Sequence, residues 1–151
     1  MLYKEEVKDL FSLTNENYYF VQCISADFGM GKGIALKFNE YFNTKASLIL
    51  KYGDYLSIWN NTINQGFCIK EGRTLNLVTK ERYWSKPTYE TMQNALNKLH
   101  DIIIMNDIHK IAMPIIGCGL DRLDWSIVSQ MIQNTFIDIQ NLEILVCKLG
   151  E

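Results

Sequence analysis

Pro114-Ile115-Ile116-Gly117-Cys118-Gly119-Leu120-Asp121-Arg122-Leu123-Asp124-Trp125 decides how this chain is read, because the stretch changes character twice. Ile111 to Ile116 is apolar almost throughout, which predicts a strand buried on both faces. Gly117 and Gly119 flank one small residue. They let the backbone turn sharply at the strand's carboxyl end with its N–H groups outward. Asp124 fits a helix N-cap, and Trp125, Val128, Ile132, Thr135 and Ile139 follow at roughly helical spacing. A strand, a glycine turn and a helix N-terminus together favour a bound anion. Asp121 would repel a phosphate placed against it, so a different part of a ligand is expected to meet that carboxylate.

The same order of elements occurs earlier. Tyr18 to Ile24 has the β-branched and aromatic bias of a strand, Ser25-Ala26-Asp27-Phe28-Gly29-Met30-Gly31-Lys32-Gly33 is a glycine-rich loop, and a helix is expected from about Ile34 to Phe42. The loop carries neither familiar nucleotide signature. Its glycines lack the spacing of G-x-G-x-x-G, and Gly31-Lys32 is followed by Gly33 where a P-loop needs Ser or Thr. Alone it reads equally as a flexible loop with a solvated lysine. If the two strands are parallel neighbours, however, the two loops face each other across one crevice, where α/β sheets bind ligands. An oxidoreductase using NAD is disfavoured, since neither loop has the dinucleotide fingerprint.

Outward from these loops, Leu2-Tyr3-Lys4 suits an edge strand and Asn15-Glu16-Asn17 a turn. Helix is expected over Lys45 to Tyr52, ending near Gly53, and Trp59 to Gly66 is polar and turn-rich. Phe67 to Lys70 and Thr74 to Thr79 read as two strands about a tight turn carrying Gly72. A helix from Thr88 or Tyr89 to about Met105 places Met92, Leu96, Leu99 and Ile103 on one stripe, and Leu142 to Cys147 is a last buried strand. The alternation of strands and helices, with one hairpin, predicts an α/β layered sandwich with a mixed sheet.

With 151 residues, 48% of them hydrophobic, the chain suits one domain spanning 1–151. A formal charge of −2 provides no strong steering toward nucleic acid or membrane. Cys23, Cys68, Cys118 and Cys147 are widely spaced and accompany only two histidines, which supports neither a metal site nor a disulfide framework. With no signal peptide and no apolar segment near roughly 20 residues, the expectation is a soluble cytoplasmic protein, a monomer, with no membrane partner.

Lys80 is the first candidate for chemistry, at a strand end beside the aromatic loop Tyr83-Trp84. A lysine amine attacks only when neutral. Burial or the cations Arg82 and Lys86 would lower its pKa, and an acid partner would raise it. Spacing alone favours a plainer reading of Lys80 as a solvated strand-end lysine, and of Asp121 as a loop acid bonded to backbone N–H groups. Cys118 lacks a nearby base and reads as a packing residue, while His100 and His109 read as surface histidines.

Cys23-Ile24-Ser25, Met30-Gly31, Gly33-Ile34-Ala35, Thr79-Lys80, Lys86-Pro87-Thr88-Tyr89-Glu90, Met113-Pro114, Ile116-Gly117-Cys118-Gly119-Leu120-Asp121-Arg122-Leu123 and Trp125 together resemble the macrodomain superfamily. Within it they resemble the terminal ADP-ribose protein glycohydrolase, or O-acetyl-ADP-ribose deacetylase, branch. The similarity runs in order over nearly the whole chain. It implies a three-layer α/β/α sandwich binding ADP-ribose, with Lys80 and Asp121 as the catalytic pair. It further implies Asp9 and Leu10 at the adenine, with Leu149 packing nearby. Ser25, Met30, Gly31, Lys32 and Gly33 would surround the distal ribose, and Ile116, Gly117, Cys118, Gly119 and Leu120 would lie under the pyrophosphate. Lys8 departs from the pattern, since the family usually has glycine before that aspartate. The implied activity is removal of a single ADP-ribose from glutamate or aspartate esters and hydrolysis of O-acyl-ADP-ribose, without a cofactor. Partners would be ADP-ribose and ADP-ribosylated protein or nucleic acid. The alternatives are removal of ADP-ribose from nucleobases of DNA or RNA, and a non-catalytic ADP-ribose-binding module.

Overall fold

Alternation along the strands assigns neighbouring side chains to opposite faces of one sheet. The computed structural model describes residues 1–31, 33–53, 55, 56, 59 and 65–149. Its strands are β1 (Leu2–Val7), β2 (Tyr19–Ser25), β3 (Phe67–Glu71), β4 (Thr74–Lys80), β5 (Lys110–Met113) and β6 (Glu143–Lys148). They form a six-stranded sheet in the order β1-β6-β5-β2-β4-β3. Every neighbouring pair is parallel except β3 with β4, so the sheet is mixed, as the hairpin about Gly72 predicts. Helices within the described residues include α1 (Gly33–Phe42), α2 (Thr44–Tyr52), α3 (Tyr89–Met105) and α4 (Trp125–Phe136).

On one face Val21, Leu75, Leu77, Ile111, Met113, Ile144 and Val146 pack against Met92, Leu96, Leu99 and Ile103 of α3 and Val128, Ile132 and Phe136 of α4. Between these same strand residues, Phe20, Ala112, Leu145 and Cys147 project to the opposite face and meet Phe38 of α1 with Leu10, Phe11 and Leu13. Ile24 and Val78 extend that second layer against Leu48 of α2, Phe28 and Met30. Each fully buried side chain of this kind contributes about 1.5–3 kcal/mol relative to exposure. The result is the three-layer α/β/α sandwich. No helix among the described residues is long and apolar enough to cross a membrane.

Several expectations need correction. Strand β5 ends at Met113 rather than Ile116. Pro114 has no N–H to continue the ladder, and Ile116 N–H bonds instead to the Pro114 carbonyl at 2.8 Å. In α4 the buried stripe is Val128, Ile132 and Phe136, a four-residue step that passes over Thr135 and ends the helix before Ile139. The Thr135 hydroxyl donates to the Met131 carbonyl at 2.6 Å. His100 is no simple surface residue. Its ring stacks on Phe136 with centroids 6.1 Å apart, and Nε2 meets Asp138 at 2.9 Å. Lys32 and most of the polar stretch 59–66 lie outside the described residues.

Candidate active site

Five strands run parallel, so their carboxyl ends share one edge of the sheet. The loops leaving that edge enclose a groove of about 930 Å³. A register shift between Ile24 and Ser25 sets Lys80, rather than Thr79, opposite Ser25. Bulges of this kind redirect side chains beside functional sites. Lys80 Nζ then lies 2.6 Å from Asp121 Oδ1, both side chains being 14% exposed. Forty-one residues separate the two in sequence, and only the shared sheet edge makes them neighbours.

The loop leaving β5 supplies the donors. The N–H groups of Gly117, Gly119, Leu120 and Asp121 make no hydrogen bond among the described residues, and all four residues line the groove. Gly117 adopts φ +74°, a backbone conformation that strains any other residue, and a Cβ there would meet the mobile end of Met92 at 2.7 Å. A Cβ on Gly119 would meet nothing within 4 Å, which leaves the backbone open to a ligand. The helix N-terminus is not the anion site that the sequence suggests. Asp124 caps it, accepting from Ser126 N–H at 2.9 Å and from the Ser126 hydroxyl at 2.8 Å. Those bonds hold the Asp124 carboxyl below its ordinary value, so the helix end already has its negative charge. The unpaired N–H groups of the preceding loop are the ones left for an anion.

The first glycine loop faces the second. A Cβ placed on Gly33 would lie 3.7 Å from Leu120 Cδ1, and Ser25, Met30, Gly31 and Gly33 line the groove with Ile116 and Leu120. Asp27, which sequence reasoning passed over, braces this loop. Its Oδ1 accepts from the Ser25 hydroxyl at 2.5 Å and Gly29 N–H at 3.1 Å, and its Oδ2 from Tyr83 N–H at 3.1 Å. An Asp two residues before a glycine is the sequence signature of such an Asx-turn.

Against relatives, no family model matches the chain. It is 36% identical over 132 residues to the human protein named ADP-ribose glycohydrolase OARD1, an alignment covering 85% of this chain and 80% of that protein. The macrodomain of Mycobacterium tuberculosis DarG has the same fold, with TM-score 0.79 and 22% identity over 99% of both chains. The chain belongs to the macrodomain family. A further structural likeness, Thermosipho africanus DarTG in complex with ADP-ribose, has TM-score 0.72 and 17% identity, covering 99% of this chain and 42% of that one.

Within this macrodomain the remaining candidates are distributed unevenly. Asp9 and Leu10 line the groove's far end, where Asp9 Oδ1 is committed to Phe11 N–H at 3.1 Å. Leu149 also lines the groove and is 85% exposed. Lys148 there is paired with Glu5 at 2.7 Å. Cys118 is not among the lining residues. Its thiol donates to the Ile116 carbonyl at 3.2 Å, and burial, with the charges of Asp124 and Asp121, pushes it up to about 11. A protonated thiol is no nucleophile, in keeping with a packing role. Burial and then the Asp121 charge also push the Cys23 thiol up. The cations expected beside Lys80 are engaged elsewhere. The Arg82 guanidinium lies over the Trp84 ring at 5.4 Å, and Lys86 Nζ donates to the Leu120 carbonyl at 2.7 Å, tying the second glycine loop to the turn after β4. No cluster of three His, Cys, Asp or Glu residues suited to a metal occurs among the described residues.

Proposed function

We propose that this macrodomain is a hydrolase that releases a single ADP-ribose from its acceptor by reaction at the anomeric carbon of the distal ribose. Its substrates on this reading are esters of glutamate or aspartate and O-acyl-ADP-ribose. The observation that carries the proposal is the 2.6 Å pair of Lys80 and Asp121 at one side of a groove whose next loop offers four N–H groups unpaired among the described residues. Those donors match the pyrophosphate, and the pair matches a sugar carbon that needs both a nucleophile and a proton carrier. The name of the human relative, an ADP-ribose glycohydrolase, supports the same reading.

Lys80 passes a proton to the Asp121 carboxylate, and the neutral amine attacks the anomeric carbon. The acceptor oxygen leaves with its bonding pair and takes that proton from Asp121. Asp121, again a carboxylate, moves the proton of the adduct's nitrogen to the ring oxygen as the ring C–O bond opens to a lysyl iminium. Water adds to that carbon as Asp121 takes its proton, the C–N bond breaks, and the proton returns to Lys80 as the released aldehyde recloses to ADP-ribose. Borohydride added during turnover, followed by peptide mapping, is expected to leave the sugar on Lys80. A label elsewhere, or full activity with none, removes the covalent step. A Lys80→Ala protein that binds ADP-ribose as the wild type does, beside a wild type that forms no product, would leave a binding module instead.

A further inference from the structure

The turn that follows β4 holds the second glycine loop at more than one point. Lys80 Nζ meets Asp121 Oδ1 at 2.6 Å, and Lys86, on the same turn, sends its Nζ to the Leu120 carbonyl at 2.7 Å. Two lysines of one turn thus hold neighbouring residues of the other loop. The turn itself is braced. Asp27 Oδ2 accepts from Tyr83 N–H at 3.1 Å, Ser85 N–H donates to the Arg82 carbonyl at 2.9 Å, and Pro87, directly after Lys86, is buried. Beyond it the Tyr89 hydroxyl accepts from Asp124 N–H at 3.0 Å, on the far side of Asp121.

The peptide joining Leu120 to Asp121 depends on this contact. Its neighbours in the loop are pinned by backbone bonds, from Leu123 N–H to the Gly117 carbonyl at 2.8 Å and from Arg122 N–H to the Gly119 carbonyl at 3.2 Å. Among the described residues, the Leu120 carbonyl accepts from Lys86 and the Asp121 N–H has no partner. No peptide bond among those residues is cis, and in a trans peptide the C=O and N–H point in opposite directions. Holding the carbonyl toward Lys86 therefore turns the Asp121 N–H away from it, and it fixes the Cα from which the Asp121 carboxylate reaches Lys80. A hydrogen bond from an ammonium is roughly twice as strong as one between neutral groups. Lys86 makes no ion pair among the described residues, so no carboxylate competes for its charge. The contact is exposed, so water can replace the amine at the carbonyl. Removing Lys86 then costs the fold little, while the peptide loses its fixed plane.

Resting on the reading of Lys80 and Asp121 given above, we infer that Lys86 is a positioning residue, holding the Leu120–Asp121 peptide so that the Asp121 carboxylate stays aimed at Lys80. The test compares wild type with Lys86→Met, which keeps a stem of similar length without the charge, and Lys86→Arg, which keeps a cationic donor. On O-acetyl-ADP-ribose, Lys86→Met is expected to lower kcat roughly 10- to 100-fold with little change in KM or melting temperature. Lys86→Arg restores most of that loss. Lys86 also lines the groove, and a direct contact with a ligand phosphate would instead raise KM and leave kcat intact. In the unliganded protein, the Asp121 amide resonance in a nitrogen–proton correlation spectrum should move in Lys86→Met and return toward its wild-type position in Lys86→Arg. Full kcat in Lys86→Met, a raised KM alone, a melting temperature that falls along with kcat, or an Asp121 resonance that stays in place overturns the inference. The underlying reading fails by a different result, a Lys80→Ala protein as active as wild type on O-acetyl-ADP-ribose.

Discussion

The two ends of the sheet both carry a cavity, and they differ in what is left unpaired. At the amino ends of the strands a space of about 380 Å³ is lined by Ile104, Asp107, Ile108, His109, Asp138 and Asn141 among others. Its ionisable side chains already have partners. His109 Nδ1 meets the Asn141 carbonyl at 2.9 Å and Nε2 meets Asp107 at 3.1 Å. Both partners accept, which favours the protonated form of the ring. His100 is likewise paired with Asp138. At the carboxyl ends the second glycine loop has four N–H groups without partners among the described residues and an open backbone at Gly119. Charged side chains that satisfy one another leave a ligand less to replace than a loop of unpaired backbone donors does.

That contrast breaks most sharply at the pair itself. Lys80→Ala, and separately Asp121→Ala, are expected to cut turnover by about 10²–10⁴-fold, measured as kcat on O-acetyl-ADP-ribose, whereas His109→Gln at the opposite end leaves kcat unchanged. Equal losses at both ends would remove the functional asymmetry.

The glycine loop gives the next largest effects, and it separates folding from binding. Gly117→Ala puts a side chain on a positive φ, a loss of roughly 1–3 kcal/mol in denaturant unfolding. Gly119→Val has open space around it. Its melting temperature should match the wild type while ADP-ribose affinity, read by calorimetry, falls roughly 5- to 100-fold. Parallel behaviour of the two variants would mean that Gly119 is structural as well.

The smallest effect concerns pH at the amino end. The Asn141 carbonyl, then Asp107, raise the His109 pKa above its ordinary value. A raised folded-state pKa means that the stabilisation is complete below the ordinary imidazole pKa and is lost as pH rises through the raised one. An NMR titration of the ring should show that upward displacement in the wild type, and Asp107→Asn should reduce it.

Element identity was largely legible because it rests on local periodicity. The stripe Met92, Leu96, Leu99, Ile103 and the hairpin about Gly72 occur where spacing puts them. Element ends were less so. Pro114 stops β5 three residues early, and Phe136 displaces Thr135 from the buried face of α4, because the ladder and the volume of the core are set by partners distant in sequence. The role of Asp27 was missed although its Asx-turn spacing was visible, since its second bond, to Tyr83, spans 56 residues.

By itself the sequence determined the alternation of strands and helices, the two glycine loops and the residue types available for chemistry, all of which follow from neighbours along the chain. Only the tertiary structure decided that Lys80 and Asp121 touch, that the helix N-terminus is capped from within by Asp124, and that the N–H groups of the preceding loop are the unpaired ones. Each of these depends on the register of β2 against β4 or on which partner a backbone group finds, and hydrogen bonds across a parallel sheet join residues that have no local signal in common.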